Sequence, residues 1–139
     1  MGSKSRFVVV GVGVVAAFVV AVGVAAASGT ISTFTLASKA GLSSNGKAVT
    51  LSGTITCTQG DEVEIDGSVT QVSGRVVSGA SEETFVLCNG DEQSWSLTAG
   101  SPLTLPFKPG KTEASVVVDD LTDFGFALVT TTVNVGKQV

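Results

Sequence analysis

Residues 47–58 read KAVTLSGTITCT, and this stretch decides the fold class. Val49, Leu51, Ile55 and Cys57 fall on one side at a spacing of two, while Thr50, Ser52, Thr54 and Thr56 fall on the other. Successive side chains of an extended chain point to opposite faces, so the pattern predicts a strand with one face in a core and the other in water.

Working outward, the same alternation recurs. In residues 63–72, Val63, Ile65 and Val69 point inward while Glu64, Asp66, Ser68 and Thr70 point out. Residues 83–88 and 93–98 flank Asn89-Gly90, a dipeptide suited to a tight hairpin because both residues tolerate positive φ. Ala114, Val116 and Val118 oppose Glu113, Ser115 and Val117, and in residues 126–135 Ala127, Val129, Val133 and Val135 oppose Thr130 and Thr132. Residues 31–36 and a short piece at 103–107 complete the set. Clusters of Gly, Asn, Asp and Pro separate the runs, and no stretch carries a helical repeat. About seven or eight short strands with turn signals between them predict an all-β domain, an immunoglobulin-like antiparallel β-sandwich. An up-and-down barrel is the alternative, although the chain is small for a ligand-holding barrel.

The first 27 residues differ in kind. Lys4 and Arg6 precede a charge-free apolar run from Phe7 to Val24, and Ala25, Ala26 and Ala27 supply small residues for cleavage. That order is the pattern of a secretory signal, with cleavage expected after Ala27. Counted through the alanines, the run is 21 residues long, enough for a helix that spans a bilayer. An uncleaved signal/anchor helix is therefore the alternative. With Lys4 and Arg6 held in the cytoplasm, the domain would stand outside the membrane in both cases. The expected organisation is residues 1–27 as signal peptide or membrane anchor and residues 28–139 as one domain, extracellular or in the cell envelope.

Charge and cysteine usage agree with that placement. All 12 acidic residues lie beyond residue 60, and the domain without Lys4 and Arg6 keeps six basic residues for a net charge of −6. Nucleic-acid and anionic-lipid surfaces are bound by clustered Lys and Arg, so neither is an expected partner. Contact with membrane is expected only through residues 7–27, if they are retained. Two cysteines in an exported domain, Cys57 and Cys88, are expected to form one disulfide. Closing that loop stabilises the fold by roughly 3 to 4 kcal/mol in the chain-entropy model. Trp95 is the single tryptophan, and core packing near the disulfide is its expected role.

Chemistry-bearing residues are few. The chain has no His and no Tyr, and pairing of the cysteines leaves no free thiol, which removes the commonest general base, metal ligand and soft nucleophile. Lys39 with a nearby serine such as Ser38 or Ser43 could form a Ser-Lys pair, but these sit in a turn-like, Gly-containing stretch, and any Ser-rich loop offers the same pairing by chance. Glu62, Glu64, Asp66 and Gly67 imitate the start of an EF-hand loop, but Ser73 stands where the bidentate Glu is required and the segment alternates as a strand. Asp119, Asp120 and Asp123 crowd into one loop, close enough to share an oxygen-liganded cation such as Ca²⁺, but solvated turn acids are the expected reading and no metal site is assigned, with Ca²⁺ as the alternative.

Ser52-Gly53-Thr54 ending at Cys57, Gln71 after an alternating strand, Cys88, Trp95 and Phe107-Lys108-Pro109-Gly110 together resemble a set of small exported β-sandwich domains of unknown function common in actinobacteria. The resemblance covers most of residues 45–135. It implies a signal peptide followed by a single two-cysteine domain, and it carries over no catalytic or binding residue. The long Val-rich export segment and the acidic loop at residues 119–123 depart from that pattern. The functional expectation is a non-enzymatic secreted or cell-surface module, binding or structural in the envelope, without a cofactor and with a protein or envelope ligand as partner. A subunit of a surface assembly retained by its hydrophobic segment is the alternative, and a hydrolase using Ser or carboxylate chemistry is the third reading.

Overall fold

Burial with a period of two runs through β4 (Ala48–Cys57), β5 (Glu62–Ser73), β7 (Glu92–Gly100), β8 (Gly110–Asp120) and β9 (Phe126–Lys137). The computed structural model describes residues 21–24, 30–100 and 103–137. Its remaining strands are β1 (Ala21–Val24), β2 (Ile31–Ala37), β3 (Lys39–Leu42) and β6 (Val76–Leu87), and no helix occurs among the described residues. The expected N-terminal helix thus lies outside the described residues apart from positions 21–24, which pair as a strand with β2. No helix of the described residues is long and apolar enough to cross a membrane. The described residues are all-β.

Two groups of strands are hydrogen-bonded side by side. In one, β4 pairs antiparallel with β7 along one edge, and with β2 and β3 along the other. In the second, the order is β6-β5-β8-β9, all antiparallel. β3 joins the groups through its parallel pairing with β9. Buried side chains from both groups form one core, with Phe34, Leu51, Ile55, Ile65, Val116 and Val129 among its members. Gly67 of β5 packs against the first group, where an added Cβ would lie 3.0 Å from a methyl group of Leu97 and 3.3 Å from one of Leu51.

Trp95 is 3% exposed, as expected of a core residue. It stacks on Phe34 with ring centroids 5.1 Å apart, and its Nε1–H donates to the Thr35 carbonyl at 3.2 Å. Gly53 makes this possible. It stands opposite Trp95 in the β4–β7 ladder, and a Cβ there would fall 1.9 Å from the same carbonyl oxygen. The Cys57–Cys88 disulfide is formed, with Cα atoms 5.5 Å apart.

Three expectations require correction. Residues 83–88 and 93–98 do not form a hairpin: β6 pairs with β5, and β7 pairs with β4. Asn89-Gly90 does turn, with Gly90 at φ 88° and the Asp91 N–H bonded to Asn89 Oδ1 at 2.8 Å. Turn chemistry reverses the chain without choosing its partner, and here the chain crosses from one strand group to the other beside the disulfide. Residues 103–107 are not a strand. Leu103 is 93% exposed, Pro106 has no N–H to give a ladder, and Phe107 plugs the core with its N–H bonded to the Gly46 carbonyl at 2.6 Å. The turn-like stretch around Lys39 instead holds β3, Lys39–Leu42. The first half of β6 was also missed, because its Ser- and Gly-rich sequence has weak strand propensity; the two-residue turn Gly74-Arg75 sets its register, with Ser73 opposite Val76.

Gln71 closes one end of the molecule. Its Nε2 donates to the Lys108 carbonyl at 2.8 Å and to Thr112 Oγ1 at 2.9 Å, and its Oε1 accepts from the Lys108 N–H at 2.8 Å. Ser78 adds a bond to the Pro106 carbonyl at 2.9 Å, so the loop before β8 is fastened from two strands.

Candidate functional site

The outer face of β6-β5-β8-β9 collects acids that are dispersed in the sequence. Alternation turns Glu64 and Asp66 outward on β5, and the ladders set Asp66 opposite Glu83 and Glu64 opposite Asp119. Like charges directly across a ladder destabilise it, and this face holds two such pairs. Exposed apolar groups flank them. Phe85 stands opposite Glu64, Val117 opposite Asp66, Phe126 opposite Asp119 and Leu128 opposite Val117. A shallow depression lined by Asp66, Ser68, Ser81, Glu83, Ser115 and Val117 lies beside them.

The acids perturb each other's ionisation. Glu64 is pushed up to about 7, first by a hydrogen bond shared with Glu83, then by burial and by the charges of Asp66, Glu83 and Asp119. Asp66 is raised by burial and by the charges of Glu83 and Asp119. One carboxylate oxygen from each of Glu64, Asp66 and Glu83 lies within 4.8 Å of the others.

A second acidic group occupies the end of the molecule opposite Gln71. Asp61, Asp120 and Asp123 bring one carboxylate oxygen each within 4.8 Å of one another. The candidate set Asp119, Asp120 and Asp123 is therefore split. Asp120 and Asp123 meet Asp61, whereas Asp119 pairs across the ladder with Glu64 on the outer face. β-alternation sends adjacent residues to opposite sides of a sheet, which separates Asp119 from Asp120. Asp61 was missed because it lies far away in the sequence, in the turn between β4 and β5. Its neighbour Cys57 was the available signal, since the disulfide fixes that turn against the end of β6.

Asp120 is the anchored member. Its Oδ2 accepts from the Thr30 hydroxyl, and its Oδ1 accepts from the N–H groups of Thr122 at 2.8 Å and Asp123 at 3.0 Å. Burial works against its charge, but the hydrogen bonds from Thr30, Asp61, Asp123 and Thr122 prevail and hold it below the usual carboxylate range. Asp61 moves the other way, to about 6, through a hydrogen bond shared with Asp120, then burial, then the hydrogen bond and charges of Asp123 and Asp120. Two carboxyl groups share a hydrogen bond only while one keeps a proton. When both are ionised, Asp61 Oδ2 is buried with no donor.

The remaining candidates come apart. Ser43 Oγ donates to Asn45 Oδ1 at 2.8 Å and accepts from the Ala48 N–H at 3.0 Å, so it is engaged in a turn, while Lys39 lies exposed on β3. Glu62, Glu64, Asp66 and Gly67 belong to β5 and not to an EF-hand loop.

Fold and sites together define a small all-β domain, stapled by one disulfide and carrying one acidic group on a sheet face and another at one end. The chain belongs to a family of unknown function (DUF6299), whose model matches residues 19–138. No curated protein matches it. Among solved structures, the sporulation control protein Spo0M from Bacillus subtilis is similar, at 15% identity and a TM-score of 0.30, over 84% of this chain and 51% of that one. The chain thus spans about half the length of that protein.

Proposed function

We propose that this chain is a non-enzymatic secreted or cell-surface module whose outer β6-β5-β8-β9 face binds a basic, partly apolar segment of a partner protein. The domain is read as an immunoglobulin-like antiparallel β-sandwich, β7-β4-β2 on one side and β6-β5-β8-β9 on the other. Residues 1–27 are read as its signal peptide or membrane anchor. The supporting observation is the pair of like-charge oppositions, Asp66 with Glu83 and Glu64 with Asp119, framed by exposed Phe85, Phe126, Val117 and Leu128. Such an arrangement costs stability in the free domain, and a Lys or Arg side chain placed among the four acids would relieve it. None of the paired positions of β5, β6, β8 and β9 on this part of the face holds Lys or Arg, so no basic side chain at these positions offsets the four acids, which favours a basic partner.

The test uses a peptide of alternating Lys and Leu added to the isotope-labelled domain. Shifts should concentrate on Glu64, Asp66, Glu83, Asp119, Val117 and Leu128, weaken with salt, and disappear in the double variant Glu64→Gln, Glu83→Gln. Shifts of equal size in that variant, or shifts confined to another face, would refute the reading. Intact mass of the protein from culture medium and membranes tests export: a chain that begins at Ser28 supports release, and a full-length chain in the membrane supports the anchored form.

The assembly reading rests on β6, whose 12 residues pair only with β5 and leave the other edge free among the described strands. An unpaired edge is a template for a neighbouring chain. Sedimentation of the purified domain decides between the two, because pairing through β6 requires self-association.

A further inference from the structure

Beyond the sheet face, and independently of it, the end of the molecule at Asp61 has an unmet electrostatic need. Asp61 is 5% exposed and its Oδ2 has no hydrogen-bond donor. The same carboxylate is directed at those of Asp120 and Asp123, within 4.8 Å. An ionised, buried carboxylate without a donor is strongly disfavoured, and two further carboxylates beside it make the need larger. The surrounding segments, residues 57–62, 86–92 and 119–125 with residues 30–33, contain no Lys, Arg or His. No side chain of these segments can therefore supply the positive charge.

We propose that Asp61, Asp120 and Asp123 form a Ca²⁺ site. Every donor is a hard carboxylate oxygen, with no nitrogen or thiolate ligand, which selects an alkaline-earth ion over zinc or copper. Ca²⁺ takes six to eight oxygens at 2.3–2.6 Å, so oxygens on opposite sides of the ion stand about 4.6–5.2 Å apart. The observed spread of at most 4.8 Å fits one such coordination sphere. Mg²⁺, at 2.0–2.1 Å, usually keeps most of its water and uses one or two carboxylates, so three convergent ones favour the larger ion. Asp123 is exposed and gives the ion a way in from solvent, while waters complete the shell.

The protein is already built to hold two of the ligands in place. Thr30 and the loop N–H groups orient Asp120, and the Asp61 backbone carbonyl accepts from the Cys88 N–H at 2.8 Å, next to the disulfide. Bound Ca²⁺ would tie the β4–β5 turn to the β8–β9 loop, which are otherwise joined by few bonds, among them Leu121 N–H to the Glu62 carbonyl at 2.9 Å.

The experiment is a Ca²⁺ titration of the chelator-treated domain to about 10 mM at constant ionic strength, followed by amide shifts and by thermal unfolding. With an affinity of about 10⁻⁴–10⁻³ M, the range of extracellular Ca²⁺ modules, the melting temperature should rise by several degrees. Shifts should concentrate on residues 58–61 and 120–125. Asp61→Asn and Asp123→Asn should each weaken binding at least about tenfold, whereas Glu83→Gln, in the other acidic group, should leave it unchanged. Asp61→Asn removes a buried charge and should fold at least as well as the parent in the absence of Ca²⁺, so loss of binding there is not loss of structure. The proposal is overturned by a domain that does not respond to Ca²⁺, by shifts centred on Glu64 and Glu83, by an equal response to Mg²⁺, or by full binding in Asp61→Asn.

Discussion

Reduction of the Cys57–Cys88 bond should lower stability by an amount that the loop length sets. The cysteines are 31 positions apart, and the chain-entropy relation for a loop of that size gives about 12 cal/mol/K, or about 3.7 kcal/mol at 25 °C. For a domain of about 110 residues, the unfolding entropy near the midpoint is about 0.23 kcal/mol/K, so the melting temperature should fall by about 16 °C. The folded state itself should change little. The bonds from the Gly60 N–H to the Cys88 carbonyl at 2.9 Å and from the Cys88 N–H to the Asp61 carbonyl at 2.8 Å do not depend on the covalent link. Thermal and urea unfolding of oxidised and reduced protein, read by the fluorescence of buried Trp95, measures the difference without creating a cavity. Replacement of both cysteines by Ala should cost somewhat more, because both side chains are buried and their volume is lost. Oxidised and reduced forms that agree within about 1 kcal/mol would show that the cross-link is not what restrains the unfolded chain.

Gly53→Ala should destabilise the domain by about 2–4 kcal/mol, since the new Cβ collides with the Thr35 backbone and crowds Trp95 Nε1 at 2.9 Å, combining overpacking with a lost hydrogen bond. A urea midpoint equal to that of the parent would refute the close approach of the Thr35 carbonyl to Gly53. Glu64→Gln should raise the melting temperature at pH 8 and leave it unchanged at pH 4. The folded-state pKa of about 7 lies above the ordinary 4.5, so the folded form retains a proton that the unfolded form has released, and stability falls as pH rises from 4.5 through 7. A variant that gains equally at both pH values would show that repulsion among the acids is not the cause. Asp61, raised from 3.8 to about 6, should titrate in the same sense over its own window.

What was legible in the sequence followed from local pattern. The inward residues of β4, β5 and β9 were readable because one face of each strand is buried and the other is wet, and the disulfide was readable because only two cysteines exist. Pairing was not readable, because it is a long-range choice. Asn89-Gly90 looks the same in the sequence whether its flanking strands pair with each other or with β5 and β4. β3 was hidden by Gly41 and by its four-residue length, and it is held by partners on both sides instead of by its own propensity. The acidic sites were half legible. Counting acids in the loop found Asp120 and Asp123, but Asp61 joins them only through the fold, and the outer-face group exists only once three strands are in register.

The two ends of β5 show how buried polar groups separate scaffold from site. At the far end Gln71 is buried and both of its amide atoms are bonded, to Lys108 and Thr112, so that end is closed and nothing more is required of it. Just before the near end Asp61 is equally buried, yet one of its oxygens has no donor. Buried polar atoms are almost always satisfied, and an exception calls for a physical cause. Careless packing is a poor cause here, because Asp120 at the same spot receives three hydrogen bonds, from Thr30, Thr122 and Asp123. A proton meets the need of Asp61 below about pH 6, and above that pH a cation is the group that meets it. Proton and Ca²⁺ therefore compete for the same oxygens. Ca²⁺ affinity should weaken as pH falls through 6 in the parent, and a pH-independent affinity would place the ion somewhere other than Asp61.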